Sequence, residues 1–316
     1  MTVLKGAAFI LAALLLAAPD VVRADAGTPV PKPSIGSVQR LAAFPSHNVP
    51  ARDVDVWLPP GYSSKRKYAV LYMQDGQMLF DAGITWNKQE WRADETAARL
   101  MAEGKTRPFI IVGIHNGGKR RHVEYFPQKP FEALPEDFRS QLLGMNRNPQ
   151  QVLFDGTVDS DAYLKFLVEE LKPYIDSHFS VATGPEHTAV MGSSMGGLIS
   201  LYAISEYPQA FGGAACLSTH WPGIFTVENN PIPQAFFDYM QGALPDPATH
   251  RIYFDHGTAT LDALYPPLQI RADAVMRQRG YTEARWRTQA FPGAEHSEQA
   301  WAARLDIPLQ FLFPPD

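Results

Sequence analysis

Gly192-Ser193-Ser194-Met195-Gly196 sets a serine at the centre of a G-x-S-x-G pentapeptide. Thr188 to Met191, just before it, reads as a short apolar strand, and Leu198 onward reads as a helix. A chain that passes from strand to helix in so few residues holds the central residue in a strained conformation and projects its side chain clear. The flanking glycines are needed because a Cβ there would collide with neighbouring backbone. Ser194 then stands at a helix N-terminus, where free N–H groups and the helix dipole favour developing negative charge. The chemistry this implies is nucleophilic attack by the Ser194 hydroxyl. The rival is a tight turn whose serine merely caps the helix.

A serine hydroxyl is a poor nucleophile at neutral pH and needs a base, which in turn needs an orienting group. With this kind of turn the chain order is serine, acid, histidine. Downstream of Ser194 stand His220, His250, His256 and His296. His296, in Phe291-Pro-Gly-Ala-Glu-His-Ser-Glu298, follows the last predicted strand and is the best base. His220, beside Trp221, follows an earlier strand and is placed to line the site. Two acids are candidates: Asp262, just past the strand Arg251 to Asp255, and Asp255 within it. Asp262 is preferred, because a loop carboxylate can reach back to fix the imidazole tautomer. A tetrahedral oxyanion needs donors. The expected ones are the backbone N–H of Met195 and that of Gln77, in Gln74-Asp75-Gly76-Gln77 after an earlier strand. Asp75 is expected to tie that loop and is also a substrate-binding candidate.

Behind these residues, buried-type runs alternate with amphipathic stretches. Strands are expected at Val38 to Phe44, Asp53 to Leu58, Tyr68 to Met73, Phe109 to Ile114, Gly213 to Leu217, Arg251 to Asp255 and Arg285 to Ala290. Helices are expected at Trp91 to Ala102, Ala162 to Ile175, Leu268 to Gln278 and from about Ser297. Residues 116 to 160 read as a long irregular loop, and Thr219 to Pro233 as a proline-rich one. The alternation argues for an α/β fold with a mostly parallel sheet covered on both faces, and for ligands at the carboxyl ends of its strands.

The chain has 316 residues, 45% hydrophobic and 19% charged, enough for one large domain. A basic start, the apolar run Gly6 to Ala18 and Ala24-Asp25-Ala26 have the layout of a cleaved signal peptide over residues 1–26. The apolar run is too short for a comfortable membrane span. Residues 27–36 read as a linker and 37–316 as the catalytic domain, exported to the periplasm or the medium, with no membrane association after cleavage. A net charge of −5 gives no electrostatic footprint for nucleic acid. The lone Cys216 is expected to be a buried hydrophobe. No metal-ligand spacing and no glycine-rich phosphate loop is present, so no cofactor is implied.

Several further motifs carry a resemblance. These are Leu71-Tyr-Met-Gln-Asp-Gly-Gln-Met-Leu-Phe-Asp81, Trp86, Glu124-Tyr-Phe-Pro127, the run Tyr163 to Asp176, Met191-Gly-Ser-Ser-Met-Gly-Gly197 and His296-Ser-Glu-Gln-Ala-Trp301. Over about residues 40 to 315 the chain resembles an esterase branch of the α/β-hydrolases that includes esterase D, feruloyl and acetylxylan esterases, siderophore esterases and mycolyltransferases. The resemblance implies Ser194 as nucleophile, His296 as base, and Gln77 and Met195 as oxyanion donors. It departs at the acid, which family members often carry about three residues after the glycine that ends the strand. Gly257 and Asp262 are five apart.

The implied substrate is a small-molecule or glycan-linked ester. Trp86, Trp91, Tyr125, Phe126, His220 and Trp221 are candidates for an aromatic wall suited to phenolic, catecholate or sugar groups. Lys119, Arg120 and Arg121 form a basic cluster near Glu124, read either as a structural ion pair or as an attractor of anionic substrate, with Arg121 the binding candidate. The expected function is an exported serine ester hydrolase of feruloyl or acetyl type. The rivals are a siderophore trilactone esterase and a non-catalytic ligand-binding protein on a hydrolase shell.

Overall fold

The computed structural model describes residues 28–315. The expected signal peptide, residues 1–26, lies outside the described residues.

Eight strands form one sheet: Ser37–Phe44 (β1), Arg52–Leu58 (β2), Ala69–Gln74 (β3), Phe109–Ile114 (β4), Thr188–Ser193 (β5), Gly213–Leu217 (β6), Arg251–His256 (β7) and Trp286–Ala290 (β8). Their order is β1-β2-β4-β3-β5-β6-β7-β8. β2 runs antiparallel to β1 and β4, and every other neighbouring pair is parallel. The centre is held in register by Leu71 opposite both Ile111 and Ala189, and by Met191 opposite Ala215.

The central strands are wholly buried, which is why they read as continuous apolar runs rather than alternating ones. Successive side chains point to opposite faces. Val70 and Tyr72 of β3 enter one core, with Leu164, Leu167, Leu198, Phe236 and Met276 from the helices on that side. Ala69, Leu71 and Met73 enter the other, with Ala97, Leu100, Leu309 and Leu312. The sheet is therefore sandwiched between two helical layers, the single-domain α/β arrangement expected.

Two stretches differ from the expectation. The segment 116–160 holds the short helices Arg121–Tyr125, Gln128–Glu132 and Glu136–Leu143, and a small hairpin of Asn146–Asn148 with Gln151–Val152. The proline-rich loop gives way at its end to a 12-residue helix, Ile232–Ala243. Pro231 and Pro233 stand at its start, where a missing N–H costs nothing. Residues 28–36 have no secondary structure but are tied down. Lys32 N–H donates to Asp81 (3.0 Å), Ile35 N–H to Asp94 (3.1 Å), and the Ile35 carbonyl accepts from Trp57 Nε1 (2.7 Å).

Candidate active site

Six segments leaving the carboxyl ends of β3, β4, β5, β6, β7 and β8 meet over one cleft of about 570 Å³. Ser194 reaches it from the turn between β5 and the helix Met195–Glu206, with φ 58° and ψ −123°. A non-glycine residue held there is strained by roughly 1–3 kcal/mol. The surroundings enforce it. Ser194 N–H donates to the Leu217 carbonyl (2.9 Å), and the Ser194 carbonyl accepts from the N–H groups of Gly197 (3.0 Å) and His220 (3.2 Å). The flanking glycines allow the turn to sit against β3: a Cβ on Gly192 would lie 2.7 Å from the Gly196 carbonyl carbon and 2.9 Å from Gln74 Cβ.

His296 lies on the cleft between β8 and the short helix Glu298–Ala302, whose N-cap is Ser297. Its Nδ1 is 2.5 Å from Asp262 Oδ1. The other Asp262 oxygen accepts from the Ser218 hydroxyl (2.6 Å) and Gly257 N–H (2.6 Å). Burial alone would raise the Asp262 pKa, but these bonds, led by that from His296, hold it below the ordinary carboxylate value. Asp255 is engaged elsewhere. It accepts from Arg304 Nη2 (2.9 Å), is fully buried and does not touch His296; burial pushes its pKa up. Trp301 packs edge-on against the His296 ring, centroids 5.0 Å apart, and its Nε1 donates to the Ser218 hydroxyl (3.0 Å).

The loop after β3 is braced from across the cleft. Asp75 sits in a left-handed conformation with φ 57°. Its carboxylate accepts from Arg121 Nε (2.6 Å) and Nη2 (2.7 Å) and from Asn116 Nδ2 (2.7 Å). This bidentate pair explains why Arg121 keeps its charge firmly despite burial. Gly76 packs on β4 so tightly that a Cβ would come within 2.3 Å of the Gly113 carbonyl carbon. Gln77 lies in the single turn Gly76–Met78, and Met195 opens the helix after Ser194; both line the cleft. N–H groups at helix starts have no intrahelical partner.

Of the expected binding residues, Asp75, Trp86, Arg121 and His220 line the cleft. Trp86 is 83% exposed, so its ring is available to a ligand. Tyr125 and Trp221 do not line it; both are fully buried. Tyr125 lies under Arg121, whose guanidinium sits 5.1 Å over its ring, and its hydroxyl accepts from Asp75 N–H (3.4 Å). Trp221 donates to Gln269 (2.9 Å) and packs on Phe237 and Phe254. Phe126 is likewise core, whereas Trp91 does border the cleft but is 98% buried in a stack on Trp301. An apolar body with one satisfied polar atom is more stable inside than on a wall, which is the physical reason for the difference.

The basic cluster divides. Arg121 goes to Asp75, and Arg120 to Asp159 (2.9 Å) and Glu124 (3.5 Å). The bidentate partner of buried Glu124 is Arg52 from β2, with both bonds at 2.9 Å.

Several cleft residues left no signal in the sequence. Tyr265, in the turn after Asp262, is fully buried beneath the cleft floor, where it hydrogen-bonds the Ser194 side chain and its hydroxyl lies 2.8 Å from His220 Nδ1. Burial and the positive groups around it push the His220 pKa far down, so the ring is neutral. His122, Arg147, Phe225 and Glu298 also face the cleft. Cys216 is fully buried in β6, where burial raises its thiol pKa.

This sheet, with a strained serine after its fifth strand and a histidine after its last, defines an α/β-hydrolase. Residues 50–312 match the family described as "Putative esterase", and the chain belongs to that family. Among curated proteins it is 27% identical over 274 residues to the uncharacterized protein YbbA of Bacillus subtilis (strain 168), covering 84% of this chain and 94% of that one. A ferulic acid esterase structure from Anaeromyces mucronatus superposes with TM-score 0.59 at 20% identity, over 87% of this chain and 90% of that one. The enterobactin esterase structure from Shigella flexneri superposes with TM-score 0.57 at 16% identity, over 89% of this chain and 60% of that one. These likenesses concern the fold. Among the described residues no helix is long and apolar enough to cross a membrane, and no group of three acidic, histidine or cysteine side chains is placed to hold a metal.

Proposed function

We propose that this protein is an exported serine carboxylic ester hydrolase acting on aromatic or sugar-linked esters through Ser194, His296 and Asp262. The observation that carries the reading is the 2.5 Å contact between His296 Nδ1 and Asp262, with both His296 and Ser194 facing one cleft. A carboxylate on Nδ1 keeps the proton on that nitrogen and leaves Nε2 with a lone pair, the tautomer a general base needs. Export rests on the N-terminal basic, apolar and Ala24-Asp25-Ala26 sequence.

In the first half-reaction Ser194 Oγ attacks the ester carbonyl carbon while His296 Nε2 takes its proton. The backbone N–H groups of Gln77 and Met195 donate to the oxyanion. The tetrahedral intermediate collapses, the C–O bond to the alcohol breaks, and His296 returns the proton to the leaving oxygen. In the second half-reaction water attacks the acyl-serine carbonyl as His296 takes its proton; the C–O bond to Ser194 breaks, His296 returns the proton to Ser194 Oγ, and the acid departs. Asp262 stabilises the imidazolium in both halves without taking the proton.

Aromatic character is supported by the exposed ring of Trp86 and by Phe225, 54% exposed, both on the cleft. A panel of methyl ferulate, acetylated xylo-oligosaccharides and a ferric catecholate trilactone tests the reading with wild type and Ser194→Ala. Turnover of the first or second, absent in the variant, supports it. Turnover confined to the trilactone moves the assignment to siderophore hydrolysis. No turnover of any ester, with ligand binding retained, means a binding protein on a hydrolase shell.

A further inference from the structure

The small hairpin Asn146–Asn148 with Gln151–Val152 carries Arg147 to the cleft. Of the two arginines there, Arg121 is neutralised by Asp75. Among the described residues no carboxylate pairs with Arg147. Burial and the nearby Arg121 both work against its charge. The other acid on the cleft, Glu298, is engaged by Asn87 Nδ2 (2.8 Å) and faces Arg121. Arg147 is exposed on the cleft beside another cation and, among the described residues, with no anion of the protein's own, so its planar fork is free to take one.

His122 supplies a second, independent gap. It is 93% buried, lines the same cleft, and its Nε2 has no hydrogen-bond partner. Burial first, then Arg121 and Arg147, push its pKa down to about 3, so the ring is neutral. Its other nitrogen bonds the Gly223 backbone, whose own N–H is taken by His220. The proton therefore sits on that other nitrogen, and Nε2 is a bare acceptor.

We propose that Arg147 and His122 form a subsite for an ester that carries a carboxylate and a hydroxyl, the carboxylate on the Arg147 guanidinium and the hydroxyl donating to His122 Nε2. Both residues line the same cleft, so one ligand can meet both. A planar fork matches a carboxylate bidentately, and the exposed rings of Trp86 and Phe225 offer faces for the ligand's apolar part. The inference about substrate rests on the hydrolase reading; the inference about binding does not.

Two measurements separate them. Calorimetry on Ser194→Ala compares 4-hydroxybenzoate with 4-hydroxybenzamide, which share the ring and hydroxyl while only the first carries a charge. The carboxylate is expected to bind roughly tenfold tighter or more, the preference to collapse in Arg147→Gln, and to survive in part in Arg147→Lys. Equal affinity for the two, or a preference indifferent to Arg147→Gln, overturns the subsite. Wild-type kcat/KM for mono-(4-nitrophenyl) glutarate over that for its neutral methyl ester should exceed one and fall in Arg147→Gln through KM. Carboxylate-selective binding without hydrolysis of either ester would sink the hydrolase reading and leave the subsite standing.

Discussion

Asp262 and His296, 34 residues apart, meet through Oδ1 and Nδ1 at 2.5 Å, and the second Asp262 oxygen is fixed by Ser218 and Gly257. The carboxylate therefore has one orientation, and the imidazole inherits it. Asp255, seven residues earlier in sequence, belongs to Arg304. The two acids should behave differently. Asp262→Asn should lower kcat by roughly 10³–10⁴-fold, because the amide favours the wrong tautomer. Asp255→Asn should instead lower stability by roughly 3–5 kcal/mol, since Arg304 keeps a buried charge without its partner. Ester kinetics and urea unfolding on the same two variants read both effects.

Backbone contact at the turns predicts which small changes are intolerable. Gly76→Ala would drive a methyl to 2.3 Å from the Gly113 backbone, so the loop bearing Asp75 and Gln77 must lift off β4. kcat should fall by roughly 10²-fold or more as the oxyanion donor moves. Gly104→Ala is the control for substitution itself. That glycine has nothing within 4 Å of a Cβ and is remote from the cleft, but its φ of 65° makes the change mildly destabilising. Melting should therefore register Gly104→Ala while kcat does not.

Glu124 is fully buried and doubly bonded to Arg52, 94% buried. Arg52→Met should destabilise the fold by about 3–5 kcal/mol, because it leaves the buried carboxylate with only the longer contact to Arg120. Adding Glu124→Gln should recover much of the loss. If the single and double variants melt alike, the pair is not the source of the effect.

The attachment of residues 28–36 should respond to pH. Asp94 accepts from Ile35 N–H, and burial, then the neighbouring Glu95, raises its pKa to about 7. A carboxyl raised above its unfolded value of about 3.9 contributes stability that is present at low pH and is lost as pH rises through the folded value. Asp94→Asn remains neutral throughout. Its Tm relative to wild type should therefore rise between about pH 4 and pH 7 and level off above, by several degrees in total. A difference independent of pH would refute the assignment.

What the sequence disclosed follows the range of each interaction. The turn at Ser194 and the position of His296 are local patterns, a strand, a glycine step and a helix, and both were legible. The choice between Asp255 and Asp262 stayed open, because it is decided by Arg304, 49 residues from Asp255. Tyr125 and Trp221 look like cleft aromatics in sequence and are core in space, since burial depends on what packs against them. Tyr265, His122 and Arg147 carried no motif. His122 and Arg147 reach the cleft only because the helix Arg121–Tyr125 and the hairpin fold over it, and Tyr265 reaches Ser194 from beneath through the turn after Asp262. The helix Ile232–Ala243 was hidden by prolines that mark its start rather than forbid it.

The central claim is that Ser194 is an activated nucleophile served by His296. Reaction with a fluorophosphonate probe followed by peptide mass spectrometry tests it directly. The account predicts one adduct, on Ser194, formed quickly in wild type, absent in Ser194→Ala and slowed by orders of magnitude in His296→Ala. No adduct on folded wild-type protein, or an adduct on another residue that persists in Ser194→Ala, would contradict it.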